Sequence, residues 1–491
     1  MDTGNTCLRR HPERATVSSA QHIYAGSAAC HAITAACRGM GLMALDNLLQ
    51  VVNTLILQGG QGRPEAGPLS PCIWPSRTEY GSVGQYDPLL GIRMKIGLVT
   101  PSWPGDRIPN GISTAVAFMV EGLEALRHGV AIIPLYPSGQ DDPRCVALPD
   151  GRAMQFTERV MSKLGWGEPW HTVFAERIAA AAQAAIRSHG IEVLVMEETQ
   201  GWAGVVQGLL PIPVIMTLHG PWFIQTGLQI GPVTADDRRR ERREAAALRR
   251  CAGITSPSRD ILDRVDAQVP GLTALRTIIP NSIGLKPAVA YETLSDRQRK
   301  SILFVGRHDH RKGADVLLQS FEMLIRQGQD AYLTFVGPDG GVMQADGRSV
   351  MFPEALARLD TATQARITYL GAQTKEEIGA LRQQHFVSVV ASRYETFSYV
   401  LLEALASGAA AISTAAGGPC EIIRDGETGL LIPPEDPAAM AQACRRLLND
   451  PALAAALGQA ARRDVEDRFG VKPVAADLVT FCQDVIRKTR T

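Results

Sequence analysis

The chain has 491 residues, of which 45% are hydrophobic and 20% are charged. This length is too great for one ordinary domain, so we expect two or three domains with sizeable cores. Fifty basic side chains balance fifty acidic ones. The zero net charge argues against a nucleic-acid-binding protein held by bulk phosphate attraction, although a small anionic ligand needs only a local pocket.

The nine cysteines are scattered and none forms a CxxC pair. They therefore predict neither a disulfide framework nor a zinc site, and a reducing, cytoplasmic setting is the simplest interpretation. The polar start of the chain lacks the apolar core of a signal peptide. Residues 41–58 carry four polar side chains, so this stretch predicts an amphipathic helix rather than a membrane span.

Residues 1–93 differ from the rest of the chain because they hold four of the nine cysteines and a Gly/Pro-rich stretch at 59–75. Met94 then stands directly before a short apolar run typical of a first strand. We expect residues 1–93 to be a poorly ordered N-terminal extension. A genuine extra domain is the alternative.

From Met94 onward, short apolar strands alternate with amphipathic helices in two successive series. The first series predicts strands at 96–99, 131–135, 193–196, 214–218 and 253–256, with helices at 114–126 and 174–187. The second predicts strands at 301–305, 331–336, 367–369, 387–390 and 410–413, with helices at 316–326, 375–382 and 399–406. This alternation favours two Rossmann-like α/β domains joined near residues 284–300. Ligands of such sheets bind beyond the carboxyl ends of the strands, so we expect the site in the interdomain cleft.

The segment Ser392–Gly408, SRYETFSYVLLEALASG, follows a predicted strand and opens a helix. Two glutamates in it, Glu395 and Glu403, are eight positions apart and could serve different ends of one elongated ligand. A carboxylate can also accept hydrogen bonds from the paired hydroxyls of a ribose. The first amides of the helix, at Thr396, Phe397 and Ser398, favour an anion such as a diphosphate.

A second cluster of candidate residues follows the strand at 301–305, in the segment SILFVGRHDHRKG. Gly306 permits close approach of a ligand to the backbone. Arg307 can grip phosphate oxygens as a fork, and Lys312 adds a point charge. A glycine pair in STAAGGPCE and a turn in DGETGLLIP come later in the chain.

In this order, the four motifs resemble the C-terminal half of the retaining GT-B glycosyltransferases of family 4 type, also called glycosyl transferases group 1. The N-terminal half is similar more loosely, through NGI at 110–112, TLHG at 217–220, ITSPSRD at 254–260 and IPNSI at 279–283. The resemblance runs from Met94 to the C-terminus. It implies a GT-B fold, in which two Rossmann-like domains with parallel sheets face each other across a cleft.

The resemblance also implies a domain plan and a reaction. Residues 94–290 would form the acceptor domain, residues 291–470 the nucleotide-sugar donor domain, and residues 471–491 a helix that crosses back to the first domain. A hexose would move from a nucleotide-diphosphate sugar to a hydroxyl of a glycan, glycolipid or small molecule. Its configuration would be retained by attack on the same face.

Roles for individual residues follow from the same resemblance. Arg307 and Lys312 would hold the donor diphosphate and stabilise the leaving group in place of a metal ion. Glu395 would lie near the transferred sugar, Glu403 would hold the ribose, and His219 would face the sugar and acceptor. The other donor-binding positions are Gly111, Gly306, Thr396, Phe397 and Ser398. No Asp-x-Asp metal motif stands at a strand end, so we expect neither metal nor cofactor.

Two positions depart from the family pattern. Asn110 stands where the family often has the first glycine of a pair, and Ser398 stands where many members have glycine. Asn tolerates a positive φ, so the first loop can survive, but its acceptor-side contact is in doubt. Ser398 still offers an amide in a slightly more crowded site.

Other functions were weighed against this one. A nicotinamide dehydrogenase would need GxGxxG at the first turn, which is missing. A sugar phosphorylase would need a lysine bound to its cofactor, for which no motif speaks. A nucleotide-sugar epimerase or a non-catalytic scaffold of the same fold is the main alternative. The basic stretch Arg238–Arg250 favours a solvated helix, with peripheral contact to an anionic membrane as the alternative.

Overall fold

The computed structural model describes residues 93–103, 111–136, 141–163, 168–228, 231–344 and 346–490. The predicted extension, residues 1–93, lies outside the described residues except for Arg93. Asn110 and the rest of the first loop, 104–110, also lie outside them.

The first half of the described chain is built on a six-stranded parallel sheet with the order β2-β1-β3-β4-β5-β6. Its strands are β1 (Lys95–Thr100), β2 (Gly129–Pro134), β3 (Val193–Glu197), β4 (Val214–Thr217), β5 (Gly253–Ser256) and β6 (Leu275–Ile278). Its helices are α1 (Gly111–Ala125), α2 (Phe156–Lys163), α3 (Pro169–His189), α4 (Trp202–Leu209), α5 (Trp222–Leu228), α6 (Ala235–Leu248) and α7 (Arg259–Gln268).

The second half repeats this plan with a parallel sheet in the order β12-β9-β7-β13-β14-β15 and a small three-stranded sheet β11-β10-β8. The strands are β7 (Ser301–Val305), β8 (His308–Asp309), β9 (Tyr332–Val336), β10 (Asp339–Met343), β11 (Ser349–Val350), β12 (Ile367–Gly371), β13 (Val387–Val390), β14 (Ala410–Thr414) and β15 (Leu430–Ile432). The helices are α8 (Ala314–Arg326), α9 (Phe352–Ala357), α10 (Thr361–Gln364), α11 (Lys375–Gln384), α12 (Tyr399–Ala406), α13 (Pro419–Ile422), α14 (Pro437–Asn449), α15 (Pro451–Phe469) and α16 (Val471–Arg490).

The central strands are continuous apolar runs because both faces of each sheet are covered by helices. All five residues of β3 and all five of β14 are buried. These runs carry strand propensity but little period-two alternation, as expected for a buried parallel sheet. The predicted pair of parallel α/β sheets is therefore confirmed.

Both sheets reverse their strand order beside their first strand, between β1 and β3 in the first sheet and between β7 and β13 in the second. At such a point the connections leave the sheet toward opposite faces and open a crevice at the carboxyl ends of the strands. The loops after β7 and β13 therefore emerge side by side. They contain the two motifs with the strongest chemical signal in the sequence.

Helix α16 leaves the second half of the chain and packs against α1 of the first half. Its apolar face joins the core beneath β1, where Val474, Leu478 and Phe481 are buried together with Ile96 and Leu98. The last helix thus ties the C-terminus to the first sheet.

Predicted and observed elements agree closely in position, and the strands at 253–256, 301–305 and 387–390 have the bounds that we predicted. The sequence analysis missed β6 and the small sheet. These strands are short or partly exposed, so no apolar run marks them. No helix among the described residues is long and apolar enough to cross a bilayer.

The packing of α1 on α16 depends on Gly122, since an added Cβ would lie 2.2 Å from the backbone oxygen of Val471. We expect Gly122→Ala to lower the free energy of unfolding by roughly 1–3 kcal/mol through overpacking. Gly208→Ala is the matched control, because an added Cβ there has no neighbour within 4 Å. Its helix should gain up to about 1 kcal/mol. Chemical denaturation measures both, and equal stabilities of the two variants would contradict the packing.

Candidate active site

A cavity of about 530 Å³ lies between the carboxyl ends of the two sheets, which is a usual size for a small-molecule site. Both halves of the chain contribute to its wall. The first half supplies Gly111, Ile112, Glu198, Thr199, His219, Gly220, Trp222, Gln225, Arg240 and Asn281, and the second supplies Arg311, Lys312, Glu395, Thr396, Phe397, Ser398, Tyr399 and Val400.

Lys312 and Glu395 form an ion pair at the centre of the second half's contribution, joining the loops after β7 and β13. The Lys312 side chain is 17% exposed and that of Glu395 is 8% exposed. Ser392 donates a second hydrogen bond to the same carboxylate oxygen of Glu395 at 2.6 Å. The predicted meeting of Lys312 and Glu395 in one crevice is therefore observed.

The charge of Glu395 is stabilised by its surroundings. Burial by itself would raise the pKa of this carboxyl, but the charges of Lys312 and Arg311 and the hydrogen bonds from Lys312 and Ser392 outweigh it and lower the pKa. Glu395 is thus a carboxylate at neutral pH. Opposite charges a few ångströms apart favour the ionised form of both groups.

The segment Thr396–Ser398 runs directly into the N-terminus of α12. Phe397 is anchored by an edge-on contact with Phe469, and Ser398 caps the helix by accepting a hydrogen bond from the amide of Leu401 at 3.4 Å. Ser398 has a φ of 140°, a conformation that suits glycine and strains other residues. The strain explains why glycine is common at this position in the family that the sequence resembles.

The glycine pair of the STAAGGPCE motif lets another loop close over this segment. An added Cβ at Gly417 would lie 2.3 Å from the Glu395 oxygen, and one at Gly418 would lie 2.6 Å from the Thr396 oxygen. The amide of Gly418 donates to the backbone oxygen of Glu395 at 2.9 Å. The two glycines therefore support the Glu395–Phe397 backbone from behind.

The first half of the chain brings His219 to the opposite wall, just after β4. Glu198 orders the loop by accepting hydrogen bonds from the amides of His219 at 3.0 Å and Gly220 at 2.7 Å. Burial lowers the pKa of His219 to about 4, so its imidazole is neutral at pH 7. A neutral imidazole offers one donor and one acceptor nitrogen.

Gly111 begins α1 and lies in the wall of the same cavity. A Cβ added there would meet no described atom within 4 Å. Packing within the protein therefore does not require glycine at this position, whereas approach of a ligand would.

Three predicted site residues are not in the wall of the cavity. Arg307 forms an ion pair with Asp309 at 2.8 Å and is 55% exposed, because this nearby carboxylate attracts its guanidinium. Gly306 packs against the ring of Phe304. Glu403 pairs with the buried Arg382 at 3.1 Å, one face of α12 away from the cavity. The predicted meeting of Arg307 with Lys312 and Glu395 is not observed.

Arg311 takes the place that we predicted for Arg307. It lies in the wall beside Lys312, and its charge contributes to the lowered pKa of Glu395. Sequence inspection missed it although it immediately precedes Lys312. Trp222, Gln225 and Arg240 were missed as well, since no local pattern marks a residue that tertiary packing brings into a cleft.

The basic stretch Arg238–Arg250 is largely neutralised within the protein. Arg240 pairs with Glu244 at 2.8 Å and covers the ring of Trp222. Arg243 pairs with Glu168, and Arg239 pairs with Asp236. These contacts favour the solvated helix over a free basic patch.

No group of three or more His, Cys, Asp or Glu side chains is placed to hold a metal ion within the described part of the chain. The expected independence of metals stays a prediction, because only an activity measurement tests it.

The strain at Ser398 generates a test of stability. We expect Ser398→Gly to be at least as stable as the natural chain, because relief of the positive φ offsets the small loss of the cap. Ser398→Ala keeps the strain and loses the cap, so it should be about 1 kcal/mol less stable. Thermal unfolding of the three proteins checks this order. An alanine variant more stable than the glycine variant would contradict it.

Comparison with known families covers most of the described chain. Residues 109–285 match the profile of Glycosyltransferase Family 4, and residues 290–464 match that of Glycosyl transferases group 1. Together the two matches cover more than half of the chain.

Two curated relatives illustrate the range of similar proteins. A D-inositol 3-phosphate glycosyltransferase of Salinispora arenicola is 32% identical over 234 residues, which are 45% of this chain and 51% of the relative. A glycogen synthase of Mycobacterium tuberculosis is 26% identical over 410 residues, 78% of this chain and 92% of the relative. The chain thus spans about half of the first relative and most of the second.

Solved structures share the fold. Sucrose-phosphate synthase from Thermosynechococcus elongatus has a TM-score of 0.60 at 22% identity, covering 81% of this chain and all of that one. HepE from Anabaena, solved with UDP-glucose, has a TM-score of 0.54 at 15% identity, covering 80% of this chain and all of that one. These likenesses confirm the predicted GT-B fold. The two matched profiles and the shared architecture show that the chain belongs to the GT-B glycosyltransferases of family 4 type.

Proposed function

We propose that the chain is a retaining glycosyltransferase that moves a hexose from a nucleotide-diphosphate sugar to a hydroxyl acceptor without a metal ion. The observation that carries this proposal is the Lys312–Glu395 pair beside the N-terminus of α12 in one interdomain cavity. The first half of the chain would bind the acceptor and the second half the donor.

The donor diphosphate has a complementary environment in this cavity. Lys312 has three donor hydrogens and gives one to Glu395, so the others can contact phosphate oxygens. Arg311 adds a second cation to the same wall. The amides at the start of α12 and the dipole of that helix favour an anion at the same place. These groups would stabilise the negative charge that develops on the departing nucleoside diphosphate.

Retention without a covalent intermediate fits the state of the nearby carboxylates. Glu198 uses both of its oxygens to accept backbone hydrogen bonds, and Glu395 is held by Lys312 and Ser392. Neither is disposed as a covalent nucleophile. In the proposed path the bond between sugar and phosphate weakens first, and the acceptor hydroxyl then attacks from the face that the phosphate leaves. The neutral His219 would hydrogen-bond the sugar or the acceptor.

UDP-glucose is the first donor to test, because the structurally similar HepE was solved with it. Thermal shift and hydrolysis assays with UDP-, GDP- and ADP-glucose in the presence of EDTA measure donor choice and metal dependence together. We expect one nucleotide to raise the melting temperature and its sugar to be hydrolysed slowly. Activity that EDTA abolishes would disprove the metal-free mechanism, and epimerised sugar instead of free sugar would favour an epimerase.

The buried ion pair requires a paired substitution. Lys312→Met alone leaves the Glu395 carboxylate unpartnered, which costs roughly 3–5 kcal/mol of stability. The double variant Lys312→Met/Glu395→Gln should stay folded, while the rate of donor hydrolysis falls at least about 100-fold through the loss of charge stabilisation. Lys375→Met, an exposed position on α11, is the matched control. A folded double variant with normal turnover would refute the assigned roles.

The two arginines after β7 can be ranked by nucleotide affinity. We expect Arg311→Gln to weaken binding of the preferred nucleoside diphosphate about tenfold, or about 1.4 kcal/mol. Arg307→Gln should change it much less, because Arg307 is exposed and paired with Asp309. Calorimetric titration measures both affinities. The reverse ranking would show that Arg307, as the sequence predicted, grips the diphosphate.

A further inference from the structure

A second, smaller cavity of about 50 Å³ lies beneath the main one, at the carboxyl edge of the first sheet. The two cavities share Ile112, His219 and Asn281 in their walls. The smaller cavity is therefore a side pocket next to the place proposed for the acceptor, on the wall opposite Lys312 and Glu395.

The side pocket is apolar except for a few aimed polar groups. Leu98, Val116 and Met119 form much of its wall. Glu197, the last residue of β3, is 4% exposed, and Ser282 is 1% exposed. Both side chains belong to the wall of the pocket.

Each of these two buried side chains has an atom without a hydrogen-bond partner among the described residues, Oε2 of Glu197 and Oγ of Ser282. Burying a polar atom without a partner is unfavourable, so buried polar groups in native proteins nearly always have one. Two such atoms in the wall of one pocket indicate that a ligand supplies the missing hydrogen bonds.

We propose that this pocket is an acceptor subsite in which Glu197 and Ser282 bind one hydroxyl-bearing edge of a neutral polyol, such as a sugar or cyclitol. The proposal rests on the glycosyltransferase function proposed above. It adds the chemical class of the acceptor and two residues that recognise it.

The size of the pocket limits what enters it. A cavity needs roughly 10–15 Å³ on this measure to hold one water molecule. The volume of about 50 Å³ therefore admits one edge of a ring with its hydroxyls and leaves the rest of the acceptor in the main cavity. The apolar wall suits the C–H groups of such an edge.

The chemistry of the two groups favours a hydroxyl over an ammonium. Burial, together with the charge of Glu198, raises the pKa of Glu197 to about 8, so its carboxyl is mostly protonated at pH 7. A protonated carboxyl and a serine hydroxyl can each donate and accept hydrogen bonds, as can the hydroxyl of a polyol. An ammonium only donates and would call for a carboxylate.

The test measures binding of two matched probes, myo-inositol and 2-deoxystreptamine, to the full chain in the presence of the preferred nucleoside diphosphate. The second probe replaces hydroxyls of a six-membered ring with amines. Ligand-observed NMR at pH 7 gives both affinities. We expect myo-inositol to bind in the millimolar range and more tightly than 2-deoxystreptamine. No binding of myo-inositol, or tighter binding of the diamine, would overturn the proposal.

Substitutions assign the binding to the pocket. Glu197→Leu should weaken binding of myo-inositol about tenfold and Ser282→Ala about threefold, in line with the loss of one hydrogen bond each. Glu192→Gln is the matched control, since Glu192 is exposed at the opposite end of β3. Unchanged binding in folded Glu197→Leu and Ser282→Ala variants would overturn the proposal.

Nucleotide binding separates this proposal from the one on which it rests. The Glu197 and Ser282 variants should keep the nucleotide affinity of the natural chain. If the natural chain binds a nucleoside diphosphate but no polyol, the subsite is wrong and the donor site stands. If it binds neither, the proposed function itself fails.

Discussion

The site is organised around one buried ion pair, Lys312 with Glu395. Charges so far from water are unfavourable unless they are paired and hydrogen-bonded, and this pair meets the condition only when the loops after β7 and β13 lie side by side. The strand-order reversal of the second sheet puts them there. The interaction therefore connects the topology of the sheet with the chemistry of the cleft, because the cation that would face a diphosphate is fixed by the carboxylate that would face the sugar.

The two halves of the chain are also bonded to each other beneath the cavity. Glu421, from the glycine-pair motif, accepts hydrogen bonds from the amides of Arg259 and Asp260 at 2.8 and 3.1 Å. A carboxylate at the N-terminus of α7 is favoured by the dipole of that helix. Tyr394 donates to Asp260 across the same junction at 2.5 Å. The motif thus supports the Glu395 loop on one side and holds the other domain on the other.

Buried acids divide two tasks on the wall of the first domain. Glu198 is satisfied by backbone amides and positions the loop that carries His219, whereas its neighbour Glu197 keeps an oxygen without a partner. Adjacent residues of a strand point to opposite sides, which explains how two consecutive glutamates have different environments. A satisfied acid stabilises the loop, while an unsatisfied one is disposed toward a ligand.

The sequence by itself determined the two parallel sheets, the bounds of their buried strands, the family resemblance and the residues Lys312, Glu395 and His219. Those inferences depend on local apolar runs and on motifs that are continuous along the chain. Only the tertiary structure decided that Arg311 rather than Arg307 lines the cleft, that Glu403 pairs with Arg382, and that Glu197 and Ser282 meet in a pocket. These facts depend on which side chains from distant segments become neighbours and compete for the same partner, and no local pattern records that competition.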